Sequence, residues 1–329
     1  MENKQLTISE IYAKGKENLE KKGIKREIPP DSNLRASMQA NRRYLDSLFF
    51  ETKYFDPVDV DTSLTIFGVK LKTPVFCSAI SRLQQWTTAD MVDITRGVGK
   101  AGSLIMYGIG GSDELQAAID TGTPIVKIVK PYRRTELVYE KVRDAESRGC
   151  VAVGMDIDHS YGRLAGDRVE NTETFGPQSS SGLKQLISQT KLPFIIKGIL
   201  SVQDAEKATQ LGASAIVVSN KGRGALDFAI PNMIALPKIV DSVGYKLPVL
   251  IDTGFKTGND TFKALAFGAK AVGFVSSMLL AQAAGGADYV ELLINQLTAE
   301  LHRTMSATGC PNLSAINRSI ITHLPLANQ

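Results

Sequence analysis

Two lysines sit inside runs that are otherwise apolar, Lys127 in PIVKIV (124–129) and Lys197 in PFIIKG (193–198). An unpaired ammonium buried in such a run is expelled or loses its proton, so each needs negative charge beside it. That charge can come from a ligand, or from Asp156, Asp158 or Asp252 as a structural ion pair. At VVSNKGRGALD (217–227) an apolar run delivers Lys221 and Arg223 into a glycine-rich turn. At IDTGFKTGNDTF (251–262), Gly254, Lys256, Thr257 and Gly258 precede a helical pattern. Backbone amides freed by glycine and a helix N-terminus suit a phosphate there. His159 follows Asp158 directly and is of a type that gives or takes a proton near neutrality; the alternative is a loop histidine facing solvent. The other two histidines, His302 and His323, fall in a C-terminal stretch read as helical.

These residues need elements to position them. Eight short runs rich in Val and Ile recur, at 73–79, 103–108, 124–129, 151–158, 193–198, 214–220, 248–254 and 270–276. Segments with helical spacing separate them, such as ELVYEKVRDAESRG and VQDAEKATQLGA. Continuous apolar strands alternating with helices predict a parallel sheet covered by helices, and eight such units predict an α/β TIM (β/α)8 barrel. Chemistry in that fold gathers at the C-terminal strand ends. Those ends carry Ser78, Ala79 and Ile80; Lys127; Asp156, Asp158 and His159; Lys197; Ser219 to Arg223; Asp252 to Lys256; and Gly273. Residues 1–60 are expected to form an N-terminal helical extension and residues 61–329 the barrel. The stretch from His159 to Ser181 is long for a strand-to-helix connection and is a candidate substrate lid.

The chain has 329 residues, 43% hydrophobic, with 38 basic and 34 acidic residues and a formal charge of +4. That content supports one large domain. The mild charge excess, without a Lys/Arg run interleaved with aromatics, argues against a nucleic-acid partner. A charged N-terminus without an apolar core, and the lack of any membrane-length apolar run, predict a soluble cytoplasmic protein. Cys77, Cys150 and Cys310 lie far apart without metal-ligand spacing, which suits a reducing compartment and suggests no metal site.

Three stretches, DTSLTIFGVKLKTPVF, PFIIKGILSVQDAEKATQLGASAIVVSN and IDTGFKTGNDTFKALAFGAKAVG, resemble the FMN-dependent 2-hydroxy-acid oxidising family. That family includes glycolate oxidase, lactate oxidase and the flavin domain of flavocytochrome b2. The resemblance runs from about Asp61 to TGCPNLSAINRS, with a weaker match at NRRYLDSLFF. It implies a barrel, an FMN cofactor, a small-molecule substrate and a homotetramer. It places Lys197 beside flavin N1 and O2, where a fixed ammonium stabilises the negative charge of reduction. It places Asp252 at the ribityl hydroxyls, Ser78, Ala79, Ile80 and Ser219 along the isoalloxazine, Lys127 at its pyrimidine edge and Lys256 at the phosphate. Asp156, Gly222, Gly254 and Gly273 complete the expected cofactor-binding set.

The chain departs from the family around the substrate. Where the family reads Ser-Asn-His-Gly-Gly-Arg, this sequence has Ser219, Asn220, Lys221, Gly222, Arg223 and Gly224. Val129 stands at a substrate-binding tyrosine and Leu164, beside Arg163, at an arginine. The phosphate motif Gly-x-Gly-Arg reads Gly273, Phe274, Val275, Ser276. Lys221 could replace the catalytic histidine as a base only if its pKa fell by roughly 3 units, worth about 4 kcal/mol. It could instead stay charged and hold a substrate anion or pair with Asp158. Lys221, Asp158, His159 and Arg223 are thus the catalytic candidates of an FMN-dependent oxidoreductase acting on a small anionic organic molecule. The alternatives are a flavin-dependent non-redox isomerase and a flavin-free, non-catalytic barrel.

Overall fold

Each of the eight apolar runs becomes a strand, and the eight strands close on themselves. The computed structural model describes residues 6–24, 36–80, 91–108, 110–160, 169–170, 173–220, 226 and 228–324. The strands are β1 (Val75–Cys77), β2 (Ile105–Tyr107), β3 (Ile125–Val129), β4 (Ala152–Asp156), β5 (Phe194–Ile199), β6 (Ala215–Val218), β7 (Val249–Asp252) and β8 (Val272–Phe274). All neighbours run parallel, each beside its successor, and β8 pairs with β1 to close a (β/α)8 barrel.

Alternation along the strands sorts side chains into two layers. Phe76, Met106, Val126, Ile128, Ile195 and Leu250 fill the barrel interior. Val75, Ile105, Ile125, Val129, Ile196 and Ile251 face the surrounding helices. A hairpin of residues 64–66 and 69–71 leads into β1, and its Ile66 and Leu71 join the interior cluster. The end where strands begin is thereby closed with apolar groups, while the polar residues collect where strands finish.

The N-terminal segment packs directly on this body. Helix α1 (Ile8–Lys21) starts with a capping box, in which Glu10 N–H donates to Thr7 Oγ1 and Thr7 N–H to Glu10 Oε2. Its Ile11 is fully buried in the outer cluster. Helix α2 (Ala36–Asp46) is fixed by a bidentate pair from Arg42 to Asp260, at 2.8 and 2.9 Å. Residues 48–50 pair antiparallel with 321–323, so His323 lies on a strand and not in the helical stretch expected for it. His302 does lie in a helix, the long Ser276–Ala307 element, which is broken at Gly285 and Gly286. The three cysteines are buried and unbridged. Among the described residues no helix is long and apolar enough to cross a membrane.

Candidate active site

Six residues at the strand ends point inward and share one charge network. Lys197, on β5, has its Nζ 3.1 Å from Asp252 Oδ2 and 3.4 Å from Asp156 Oδ1, and donates to Ser219 Oγ at 3.2 Å. Ser78 donates to the same Asp252 oxygen. On the far side, Lys130 Nζ lies 2.6 Å from Asp156 Oδ2. All six are buried, with Lys130 only 1% exposed. Burial pulls the Lys197 ammonium toward neutrality, but Asp252, Asp156 and Asp158 outweigh it and raise its pKa above the ordinary lysine value. Burial wins at Lys130, whose pKa is lowered although Asp156 opposes the change.

Local backbone irregularities aim these groups. Between Lys197 and Ile199 the β5–β6 register slips by one residue, and Gly198 takes up the bulge at φ +100°. A Cβ at Gly198 would lie 2.7 Å from the Asp158 side chain, so only glycine lets β5 pass so close to the β4 end. On β7, Thr253 follows Asp252 with φ +78°, a costly conformation for a β-branched residue. Asn232 holds it there by donating to the carbonyls of Asp252 and, at 2.8 Å, Thr253. The side chains of Asn41 and Asn220 exchange two hydrogen bonds of 3.1 Å, and Asn41 also accepts from Asn232 N–H. Helix α2 is thereby bolted to the ends of β6 and β7.

His159 is buried at 1% exposure, which corrects the solvent-facing alternative. It lies in a short 3-10 turn after β4, stacks at 8° against Phe175, and places Nδ1 3.6 Å from Asp156 Oδ2. Ligand atoms of Asp156, Asp158 and His159 come within 4.8 Å of one another. Two ammonium groups already engage Asp156, an electrostatic setting that disfavours a divalent cation.

Lys127 is the main correction to the expected site. It shares the outward direction of Ile125 and Val129, donates to Gly108 O at 2.9 Å, and rests over the Tyr107 ring. It lies between sheet and helices, away from the strand-end network. Burial, followed by repulsion from Lys141, pushes its pKa down to about 8. Val129, expected in place of a substrate-binding tyrosine, also faces outward. The inward cation of this strand is Lys130, which sequence reasoning passed over because it falls after the apolar run and before Pro131.

The phosphate region also differs in detail. The amides expected to cradle an anion are partly committed: Lys256 N–H donates to Asp260 Oδ2 at 2.9 Å and Gly258 N–H to Glu300 Oε2 at 2.6 Å. The Lys256 side chain is exposed, while its carbonyl accepts from Tyr12 of α1. Nearby, the helix starting at Ser276 has Val275 at its N-cap, with no side-chain capping bond, so its first-turn amides remain available to an anion. Ala79 and Ile80 follow Ser78 at the rim, Gly254 turns the chain at φ +92°, and Gly273 packs against Phe76 and Asp252. Lys221, Gly222 and Arg223, together with Arg163, Leu164 and part of the expected lid, lie outside the described residues.

A family model described as FMN-dependent dehydrogenase matches residues 28–180 and 167–323. Glycolate oxidase 3 of Arabidopsis thaliana is 26% identical over 322 residues, covering 87% of each chain. The 4-hydroxymandelate oxidase of Amycolatopsis orientalis is 29% identical over 323 residues, covering 87% of this chain and 90% of its own. Among solved structures, a mandelate oxidase variant with (S)-mandelic acid superposes with a TM-score of 0.84 at 26% identity, over 98% of this chain and 99% of that one. Another, with a monooxide FMN adduct, gives 0.80 at 30% identity, over 88% and 91%.

Proposed function

Because the chain belongs to the FMN-dependent dehydrogenase family and is an FMN-dependent oxidoreductase, we propose that it oxidises a small anionic 2-hydroxy acid or close analogue through a rebuilt substrate site. The observation that carries this reading is Lys197, buried in the barrel mouth and held protonated by Asp252 and Asp156. The donor set suits the cofactor: one fixed ammonium, the hydroxyls of Ser78 and Ser219, the Asp252 carboxylate for ribityl hydroxyls, and the uncapped Ser276 helix with Lys256 for a phosphate. Bound FMN supplies an acceptor for the two electrons of the substrate C–H bond.

The chain's own groups handle charge and protons. Lys197 stabilises the negative charge of reduction, which in a buried site is worth far more than in water. Arg223 and Lys221, which follow β6 in sequence, are the groups proposed to meet the substrate, Lys221 as anion anchor or base, and Asp158 and His159 complete the catalytic set at the β4 end. The substrate hydroxyl proton passes to a group able to accept it, Asp158, His159 or an uncharged Lys221, as the alcohol becomes a carbonyl. A cytoplasmic setting, read from the sequence, and assembly as a homotetramer, implied by the resemblance, are parts of the same proposal.

The test begins with purified protein incubated with FMN and desalted. About one retained FMN per chain, bleached anaerobically by glycolate, lactate or mandelate, is the expected result. A chain that binds FMN but is bleached by none of a broad set of 2-hydroxy acids overturns the substrate class. Lys221→His separates the roles of that residue: a rise in 2-hydroxy-acid oxidation would show that the lysine has no specialised chemistry of its own.

A further inference from the structure

The network at the barrel mouth contains a second buried cation, Lys130, beside Lys197. Lys197 faces three carboxylates among the described residues: Asp252 at 3.1 Å, Asp156 at 3.4 Å and Asp158 through space. One ammonium shared by three carboxylates has no net positive field to offer a ligand. Lys130 changes that balance. Its Nζ sits 2.6 Å from Asp156 Oδ2, on the oxygen that Lys197 does not contact, and both partners are buried, at 1% and 4% side-chain exposure.

We propose that Lys130 is a positioning residue for the cofactor: by neutralising Asp156 it frees the charge of Lys197 to act on the flavin, and so sets the flavin's reduction potential. The inference deepens the reading of Lys197 given above and rests on it. Coulomb energy in a buried site falls off slowly, so a charge one residue removed from the reacting group still counts. Neither Lys130 nor Asp156 need touch the flavin for this. Removing a buried pair as a unit is tolerated, whereas removing one member leaves an uncompensated charge. The charged groups acting on Lys130 are Asp156 and Asp158 from the β4 end and Lys197 from β5, while His159 approaches the same Asp156 oxygen at 3.6 Å; Lys127 of its own strand points to the opposite side of the sheet.

A three-variant cycle of the FMN-loaded protein tests the proposal, with the midpoint potential of bound flavin measured against reference dyes at one pH. Lys130→Met should disfavour reduction tenfold or more, a shift of about 30 mV to more negative potential for a two-electron couple. Asp156→Asn should shift it the other way by a similar factor. The double variant should return to within threefold of the starting protein, a non-additivity that mere structural damage would not produce. An unchanged potential in Lys130→Met, or a double variant as low as that single one, overturns the proposal. Should Lys130→Met fail to fold, Asp156→Asn decides alone: a raised potential supports the charge balance, and an unchanged or lowered one overturns it. Starting protein that retains no FMN is distinguishable at the outset and overturns the cofactor reading, with this inference along with it.

Discussion

Lys127 and Lys130 are three residues apart at the same strand, both lysines and both buried, yet they lie on opposite sides of the sheet. Lys130 enters the barrel mouth and meets Asp156 at 2.6 Å. Lys127 goes outward between sheet and helices, where a backbone carbonyl and an aromatic face are its contacts and Lys141 repels it. Burial therefore does not identify a functional charge; what burial is set against does. At the mouth, carboxylates and ammonium groups interlock around a place for a ligand. Behind the sheet a lone cation is tolerated because its stem fills space and its proton is loosely held.

Three substitutions break or sharpen that contrast. The largest effect is expected at Arg42, which is paired like the mouth lysines but to a different carboxylate, Asp260. Arg42→Met leaves Asp260, 2% exposed, without its bidentate partner and should cost about 3–5 kcal/mol in urea unfolding. FMN reduction in the surviving folded protein should change little, showing that pairing alone does not mark function. Lys197→Met should lower the rate of flavin reduction by an accepted donor about 10² to 10³-fold, or about 2.7–4 kcal/mol in the barrier. A change within threefold would remove the distinction between mouth and outer layer.

The smallest effect has the opposite sign. Lys127→Met should stabilise the protein by about 1–3 kcal/mol at pH 7, because the folded-state pKa near 8 lies below the ordinary lysine value. Below pH 8 both states carry the proton and the folded state bears the full cost of burying charge. Between pH 8 and the ordinary lysine pKa the unfolded chain binds more protons, so the parent gains stability as pH rises. The advantage of the variant should therefore shrink across that window, and unfolding curves at pH 7 and 10 would read it directly. A variant less stable than the parent at pH 7 would mean that the hydrogen bond to Gly108 outweighs desolvation.

The eight strands were legible because each is a short apolar run between helical patterns, and the order of the barrel follows from that repetition. The direction of side chains within β3 was not. Ile125, Val126, Ile128 and Val129 are all buried, so the run contains no polar alternation to say which face looks inward. Lys127 consequently read as a site residue while Lys130, outside the apolar run and beside a proline, was not singled out. Asp156, Lys197, Ser219 and Asp252 were legible from their places at strand ends, and the structure brings them together. The braces behind them were not, since Asn41 meets Asn220 and Asn232 across separations of 179 and 191 residues. The burial of His159 likewise involves Phe175, which stacks on it from 16 residues further along the chain.

The pairing of residues 48–50 with 321–323 bears on the order in which the molecule is made. All eight barrel strands are synthesised by residue 274, whereas the antiparallel partner of residues 48–50 emerges almost fifty residues later. The barrel can therefore close while the early segment is still unclasped. The partners through which α2 braces the β6 and β7 ends, Asn220 and Asn232, precede residue 274, so that brace does not depend on the clasp. A nascent chain stalled just past the eighth strand would possess the sheet and most of its charged network, but lack the clasp that joins the two distant parts of the chain.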